Sequence, residues 1–177
     1  GIFMVLINKS DSILTFYSLG EILGEGTHGE VRRATKIATR EEFAVKIISK
    51  QSMDEEELAA LSNEIHILSE VDHPNIIRLI EAYETDEELY IVLELMKGGE
   101  LFDRIIDKEY FSENEAKEVI LPIFDAVNYC HELNIIHRDL KPENLLYESS
   151  DDGSLIKISD FGIARYIPTS TLASTAC

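Results

Sequence analysis

Apolar residues recur with period two in three early segments, Tyr17 to Leu23, Glu30 to Thr35 and Glu42 to Ile48, where β-branched side chains alternate or cluster between Gly and polar stretches. Those segments predict antiparallel strands. From Asp54 to Val71 the spacing changes, with Leu58, Leu61, Ile65 and Leu68 three and four residues apart, which predicts one helix with an apolar face. Two more strands are expected at Ile76 to Tyr83 and Leu89 to Leu95, on either side of the acidic turn Glu84 to Glu88. Gly98 and Gly99 then end the strand-rich part.

Beyond that break the chain reads helical, in a short piece from Glu100 to Asp107 and a long one from Ser112 to Leu133. Ser112 with Glu115 three residues later is a capping-box signature. Pro122 falls inside the long helix, where the missing backbone donor costs about 3 kcal/mol unless the helix kinks. Short strands are expected at Leu145 to Tyr147 and Leu155 to Ile158, flanking the turn-rich Ser149 to Ser154. No internal repeat is visible. A strand-rich domain followed by a helical one makes the fold class α+β.

Charge narrows the function. With 34 acidic and 16 Lys or Arg residues the chain carries a net charge of −18, and its densest basic run (Arg32, Arg33, Lys36, Arg40) is offset by Glu30, Glu41 and Glu42. Nucleic-acid binding rests on clustered cations, so that class is disfavoured. The chain is 45% hydrophobic and 177 residues long, enough for a sizeable core in one or two domains. Cys130 and Cys177 have neither paired nor metal-ligand spacing, which favours a reducing compartment. The apolar opening Ile2 to Ile7 has no basic residues before it and no cleavage site, and no apolar run reaches the ~20 residues of a membrane span. No membrane partner and a cytoplasmic or nuclear location are the expectation. Without an initiator Met or a closing element, the chain reads as a fragment.

Gly24-x-Gly26-x-x-Gly29-x-Val31 lies between two expected strands. The same glycine spacing marks dinucleotide-binding turns, but those need a helix after the third Gly. Here a strand follows, so a hairpin whose amides fold over phosphates fits better. Fifteen residues after Val31, Lys46 stands inside Phe43-Ala44-Val45-Lys46-Ile47-Ile48, either as an edge residue facing solvent or as a functional cation. Glu64 lies three residues after Leu61 and four before Leu68, on the apolar stripe, where a carboxylate needs a counter-charge. Lys46 is the nearest candidate. Asp54 to Glu57 read as a solvated first helical turn favoured by the helix dipole.

The run His137-Arg138-Asp139-Leu140-Lys141-Pro142-Glu143-Asn144 sets mostly polar residues between apolar neighbours, and Asp160-Phe161-Gly162 begins sixteen residues after Asn144. With the glycine hairpin, Lys46 and Glu64 in the same order, the set resembles the eukaryotic protein-kinase signature from about Tyr17 onward. The resemblance implies a two-lobed fold: an N-terminal extension over 1–17, an antiparallel β-sheet lobe with one helix over 18–97, and an incomplete, mainly helical lobe over 98–177. It also implies ATP and Mg²⁺ as cofactors and transfer of phosphate to protein hydroxyls. Gly24, Gly26 and Gly29 would let amides approach the phosphates, with Leu23 and Val31 beside the nucleotide. Lys46 would hold the α- and β-phosphates, oriented by Glu64. Asp160 and Asn144 would hold Mg²⁺, Asp139 would accept the hydroxyl proton, and Lys141 would stabilise the transferring group. The Glu94 carbonyl and Met96 amide would meet the adenine edge, Ala44 would pack on its face, and Leu93 would be the gatekeeper. His137 beside Ile135 and Ile136 reads as structural, one of a packed column with Leu68, Leu79 and Phe161.

Lys141 within Lys-Pro-Glu-Asn is the serine/threonine form of the motif. Gly98 to Ile105, Glu143 to Tyr147 and Ser174 to Cys177 resemble the calcium/calmodulin-dependent kinases, type I in particular. That resemblance implies protein substrates with Ser or Thr acceptors and upstream basic residues held by Glu100 and Glu143. It further implies control by calmodulin or another calcium sensor, and an upstream kinase acting on Thr175, whose phosphate would pair with Arg138. His28 departs from the aromatic residue usual at the glycine-loop tip, and the Ala-Pro-Glu motif and lower helices are absent, which would leave apolar surface exposed. The alternatives are a nucleotide-binding pseudokinase, disfavoured because every matched catalytic position is filled, and a non-enzymatic interaction fragment.

Overall fold

The computed structural model describes residues 7–8, 11–26, 29–51, 53–108, 110–161 and 164–166. His28, Gly162, and Ser174 to Cys177 with Thr175 lie outside the described residues. The chain divides into two compact units, one of residues 1–62 and 78–95 and the other of residues 63–77 and 96–177.

The first unit is built on a six-stranded sheet: β1 (Ile7–Asn8), β2 (Tyr17–Gly26), β3 (Gly29–Lys36), β4 (Glu42–Ser49), β5 (Leu79–Glu84) and β6 (Glu88–Glu94). Their order across the sheet is β1-β5-β6-β4-β3-β2. In this sheet β1 runs parallel to β5, through Ile7 opposite Ala82 and Asn8 opposite Tyr83. Side chains alternate between the two faces of each strand. On β4, Phe43, Val45 and Ile47 belong with a core of Ile13, Tyr17, Ala34, Tyr83 and Val92, so Ala44 and Lys46 take the other face. Residues ahead of β2 thus contribute to this unit: Ile13, in a 3₁₀ turn (Ile13–Thr15) capped by the Ser12 side chain, is buried.

A polar cluster borders this core. The Tyr17 and Tyr83 hydroxyls both donate to Glu81, and Lys36 Nζ reaches its Oε1 at 3.1 Å. Burial pushes the Glu81 carboxyl up, but the three donors outweigh it and hold the group below its ordinary value.

Helix α1 (Glu55–Glu70) follows β4, and its residues from Asn63 onward belong to the second unit. That unit also holds α2 (Leu101–Lys108), α3 (Glu113–Glu132), the strand pair β7 (Ile135–Ile136) with β10 (Arg165–Tyr166), and the hairpin β8 (Leu145–Tyr147) with β9 (Ile156–Ile158). The strand expected from Ile76 starts only at Leu79. Ile77 N–H instead donates to Ile158 O, and Ile158 N–H to Asn75 O, so this apolar stretch spends its backbone groups on β9. Beside it, His73 Nε2 lies 3.2 Å from Asp125 Oδ2 and Asp72 N–H donates to the Tyr129 hydroxyl at 2.9 Å, fixing the stretch to α3.

Ser112 caps α3 with both halves of the capping box formed. Lys108 Nζ at 2.6 Å, followed by Ser112, holds the Glu115 carboxyl down at about 2. The helix runs unbroken through Pro122. It buries Ile123, Ala126 and Cys130 and leaves Ile120, Leu121 and Phe124 exposed. Burial pushes the Cys130 thiol up to about 11. Among the described residues no helix is long and apolar enough to cross a membrane.

Candidate functional site

In the second unit, β7 delivers the chain into the polar run at His137. The His137 side chain is buried, with Nε2 2.9 Å from Ser159 O and Nδ1 accepting from Asp139 N–H at 3.3 Å. Those partners assign the ring proton to Nε2. Phe161, 1% exposed, stands edge-on to the imidazole with centroids 4.7 Å apart. His137 is therefore a core residue joining the polar run at 137–144 to the segment before Asp160. Of the expected column, Leu68 is buried in the second unit and Leu79 in the first.

Asn144, 7% exposed, ends the 3₁₀ turn Pro142–Asn144. Its Nδ2 donates to the Asp139 carbonyl at 2.9 Å and to Asp139 Oδ2 at 3.0 Å, while Ser159 N–H donates to the Asn144 carbonyl at 2.9 Å. Lys141 Nζ lies 3.2 Å from the same Oδ2. The Lys141 hydrogen bond, outweighing desolvation and joined by that of Asn144, lowers the Asp139 carboxyl from its usual range. A carboxylate held ionised, with Oδ2 engaged by Asn144 and Lys141, can accept a proton from a hydroxyl. Arg138 and Asp160 both take left-handed backbone, at φ 68° and 56°. Such conformations are uncommon for residues with a Cβ and cluster at functional sites.

The residues present suit a small hard cation. Both amide hydrogens that Asn144 spends go to Asp139, so its other polar atom, the Oδ1 oxygen, is a hard ligand of the kind Mg²⁺ takes. Asp160 supplies an exposed carboxylate. Among the described residues no group of three His, Cys, Asp or Glu side chains is placed to hold a metal ion.

In the first unit the sheet register lines up Gly24, Val31, Lys46 and Ile91 as successive cross-strand partners, and Ala44 stands opposite Leu93. This is the face away from Val45 and the Tyr17 core. Gly26 pairs with Gly29 where β2 turns into β3. Gly29 is required there, because a Cβ would lie 1.8 Å from Ile47 O. Leu23 is exposed, and Glu94 accepts from Arg78 N–H through Oε1 at 2.7 Å, closing the end of β6. Glu64, 6% exposed, belongs with Met96 to the second unit, whereas Lys46 belongs to the first.

Glu100 forms an antiparallel bridge with Leu146, and Glu143 is exposed on the 3₁₀ turn that leads into β8. The structure therefore joins the two expected substrate carboxylates through one strand. Sequence reasoning missed what fastens α2 to β8, the Arg104 guanidinium lying over the Tyr147 ring at 3.6 Å. No local signal could have found it, since the two residues are far apart in the chain.

The protein kinase domain family matches residues 17–177. The chain is 44% identical over 170 residues to calcium/calmodulin-dependent protein kinase type 1 of Macrobrachium nipponense, covering 96% of this chain and 49% of that protein. It is 48% identical over 160 residues to calcium-dependent protein kinase 5 of Plasmodium berghei, covering 90% of this chain and 28% of that protein. It is 42% identical over 161 residues to myosin light chain kinase A of Dictyostelium discoideum, covering 91% of this chain and 55% of that protein. The chain thus spans about half or less of the length of these relatives.

Proposed function

The chain belongs to the protein kinase family, and on that premise we propose that the protein transfers the γ-phosphate of ATP to Ser or Thr hydroxyls of protein substrates. The observation that carries this reading is the fixing of Asp139 by Asn144 and Lys141. The Asn144 amide grips both the backbone and the carboxylate of Asp139, so the proton acceptor is oriented before substrate arrives. Oδ1 of Asp139 takes the substrate hydroxyl proton, and Lys141, already beside Oδ2, offers its ammonium to the transferring phosphoryl group.

Mg²⁺, when bound by Asp160 and Asn144, supplies charge neutralisation at the phosphates. On the first unit, Gly24 and Gly26 give the phosphates close approach to backbone amides, Val31 and Ala44 offer apolar surface to the base, and Lys46 contributes a cation to the same row. Leu23, the Glu94 carbonyl and the Met96 amide complete the nucleotide contacts, and Glu64 orients Lys46. Glu100 and Glu143 hold an upstream basic residue of the substrate. The resemblance to calcium/calmodulin-dependent and calcium-dependent kinases supports control by a calcium sensor. In this reading an upstream kinase acts on Thr175, with Arg138 as the phosphate partner. A cytoplasmic or nuclear setting suits this role.

The test is phosphotransfer from γ-labelled ATP by the full-length protein to Ser, Thr and Tyr peptides, with EDTA and Asp139→Asn as controls. Transfer to Ser and Thr that stops with EDTA, and that falls about 10²-fold or more in Asp139→Asn while nucleotide still binds, is the expected result. Undiminished turnover by Asp139→Asn overturns the assignment.

A further inference from the structure

The segment that carries Glu100 is fastened to β8 with unusual closeness. Lys97 N–H donates to Glu148 O at 3.0 Å, Gly98 N–H to Tyr147 O at 2.9 Å, and Tyr147 N–H to Gly99 O at 2.9 Å. A Cβ at Gly98 would fall 2.1 Å from Ser149 O and 2.5 Å from the Tyr147 Cβ, so only glycine permits the approach. Arg104, one turn into α2, completes the fastening from the side. Its backbone N–H donates to the Glu100 carbonyl at 3.3 Å, its guanidinium lies over the buried Tyr147 ring at 3.6 Å, and its Nη2 donates to Ser149 O at 2.8 Å. A planar cation stacked on an aromatic face and hydrogen-bonded at its edge is held in both orientation and distance.

Two consequences follow for Glu100. Its position is set against β8, which continues directly from the turn bearing Glu143 and Asn144, so the two carboxylates share one frame. The Arg104 charge is spent on the ring and on a carbonyl. Among the described residues neither Glu100 nor Glu143 is joined to a Lys or Arg by an ion pair, which leaves their charge available for a cation from outside the chain. We infer that Arg104, seated on Tyr147, is a positioning residue that sets the protein's selectivity for substrates with a basic residue N-terminal to the acceptor. This rests on the proposed reading of Glu100 and Glu143 as substrate carboxylates.

The experiment uses the full-length protein and Ser peptides that are either free of basic residues or carry one Arg moved stepwise through the positions before the Ser. Wild-type protein should favour one Arg peptide over the Arg-free peptide in kcat/KM. Arg104→Ala should cut that preference about tenfold through KM of the Arg peptide, as loss of one well-placed ionic contact does, with the Arg-free peptide unchanged within about twofold. Tyr147→Phe keeps the ring and should keep the preference. Arg104→Gln, which retains a donor for Ser149 without the cation over the ring, serves if Arg104→Ala folds too poorly to turn over either peptide, and should show the same selective loss. A wild-type protein indifferent to Arg overturns the reading of Glu100 and Glu143. A wild type that discriminates, with Arg104 variants that discriminate equally or lose both peptides equally, overturns the role of Arg104 alone.

Discussion

The Tyr166 hydroxyl donates to Glu70 Oε2 at 2.6 Å, and the same tyrosine ring lies 5.7 Å from the His66 ring. One turn earlier, Asn63 Nδ2 donates to Ala164 O at 2.9 Å. Asn63, His66 and Glu70 lie along one face of α1, so this face is bound to the chain that follows Phe161, and through β10 to β7 and the polar run at 137–144.

Tyr166→Phe removes the hydroxyl and keeps the ring. It should lower stability by about 1 kcal/mol, because the bond is partly solvent-exposed and its Glu70 partner can turn to water. A double-mutant cycle with Glu70→Ala in urea unfolding measures the coupling. Additive effects would show that the bond carries no energy.

A second prediction concerns pH. Because Lys141 lowers the Asp139 carboxyl, the ionised base is present throughout the neutral range and is lost only as pH falls through that lowered value. Without the ammonium the carboxyl returns toward about 4, the ordinary aspartate value. Lys141→Met should therefore move the acid limb of the kcat/KM profile upward, in addition to slowing turnover. Superimposable acid limbs would remove Lys141 as the cause.

Nucleotide binding can be read without catalysis. Mg·ATP at 100 times its dissociation constant should stabilise a folded site by about 2.7 kcal/mol, and Asp160→Asn should lose most of that gain. Thermal unfolding with and without Mg·ATP gives the comparison. An equal rise in Tm for both proteins would contradict Mg²⁺ binding by Asp160.

The two ends of the glycine hairpin should respond differently to alanine. At Gly29 a Cβ meets Ile47 O at 1.8 Å, so Gly29→Ala should cost roughly 1–3 kcal/mol in denaturant unfolding. At Gly24 a Cβ meets nothing within 4 Å, so Gly24→Ala should leave stability nearly unchanged and weaken only ATP binding. Equal loss of stability at both positions would contradict this division of roles.

What could be read in advance depended on how local the physics was. The β4 strand was visible because Phe43, Val45 and Ile47 alternate with Ala44 and Lys46, and α3 because Ser112 and Glu115 announce its start. The run from His137 to Asn144 was visible because its residues are contiguous. The chain does not announce Ile76 and Ile77 leaving the expected strand for β9, because an apolar pair reads alike in either partnership. The two-residue strands β7 and β10 are too short to show a period. Contacts such as Tyr166 with Glu70, 96 residues apart, and Arg104 over Tyr147 exist only once the fold has formed.

Cys130 offers a clock for one of these elements. The thiol is 3% exposed on the inner side of α3 and held near 11, so almost none of it is thiolate at neutral pH. In a Cys177→Ser background, a thiol reagent can label Cys130 only when that part of α3 opens. Where the reagent captures the thiol faster than the helix recloses, the labelling rate counts opening events, and any bound nucleotide or peptide that steadies the helix registers as a slower count.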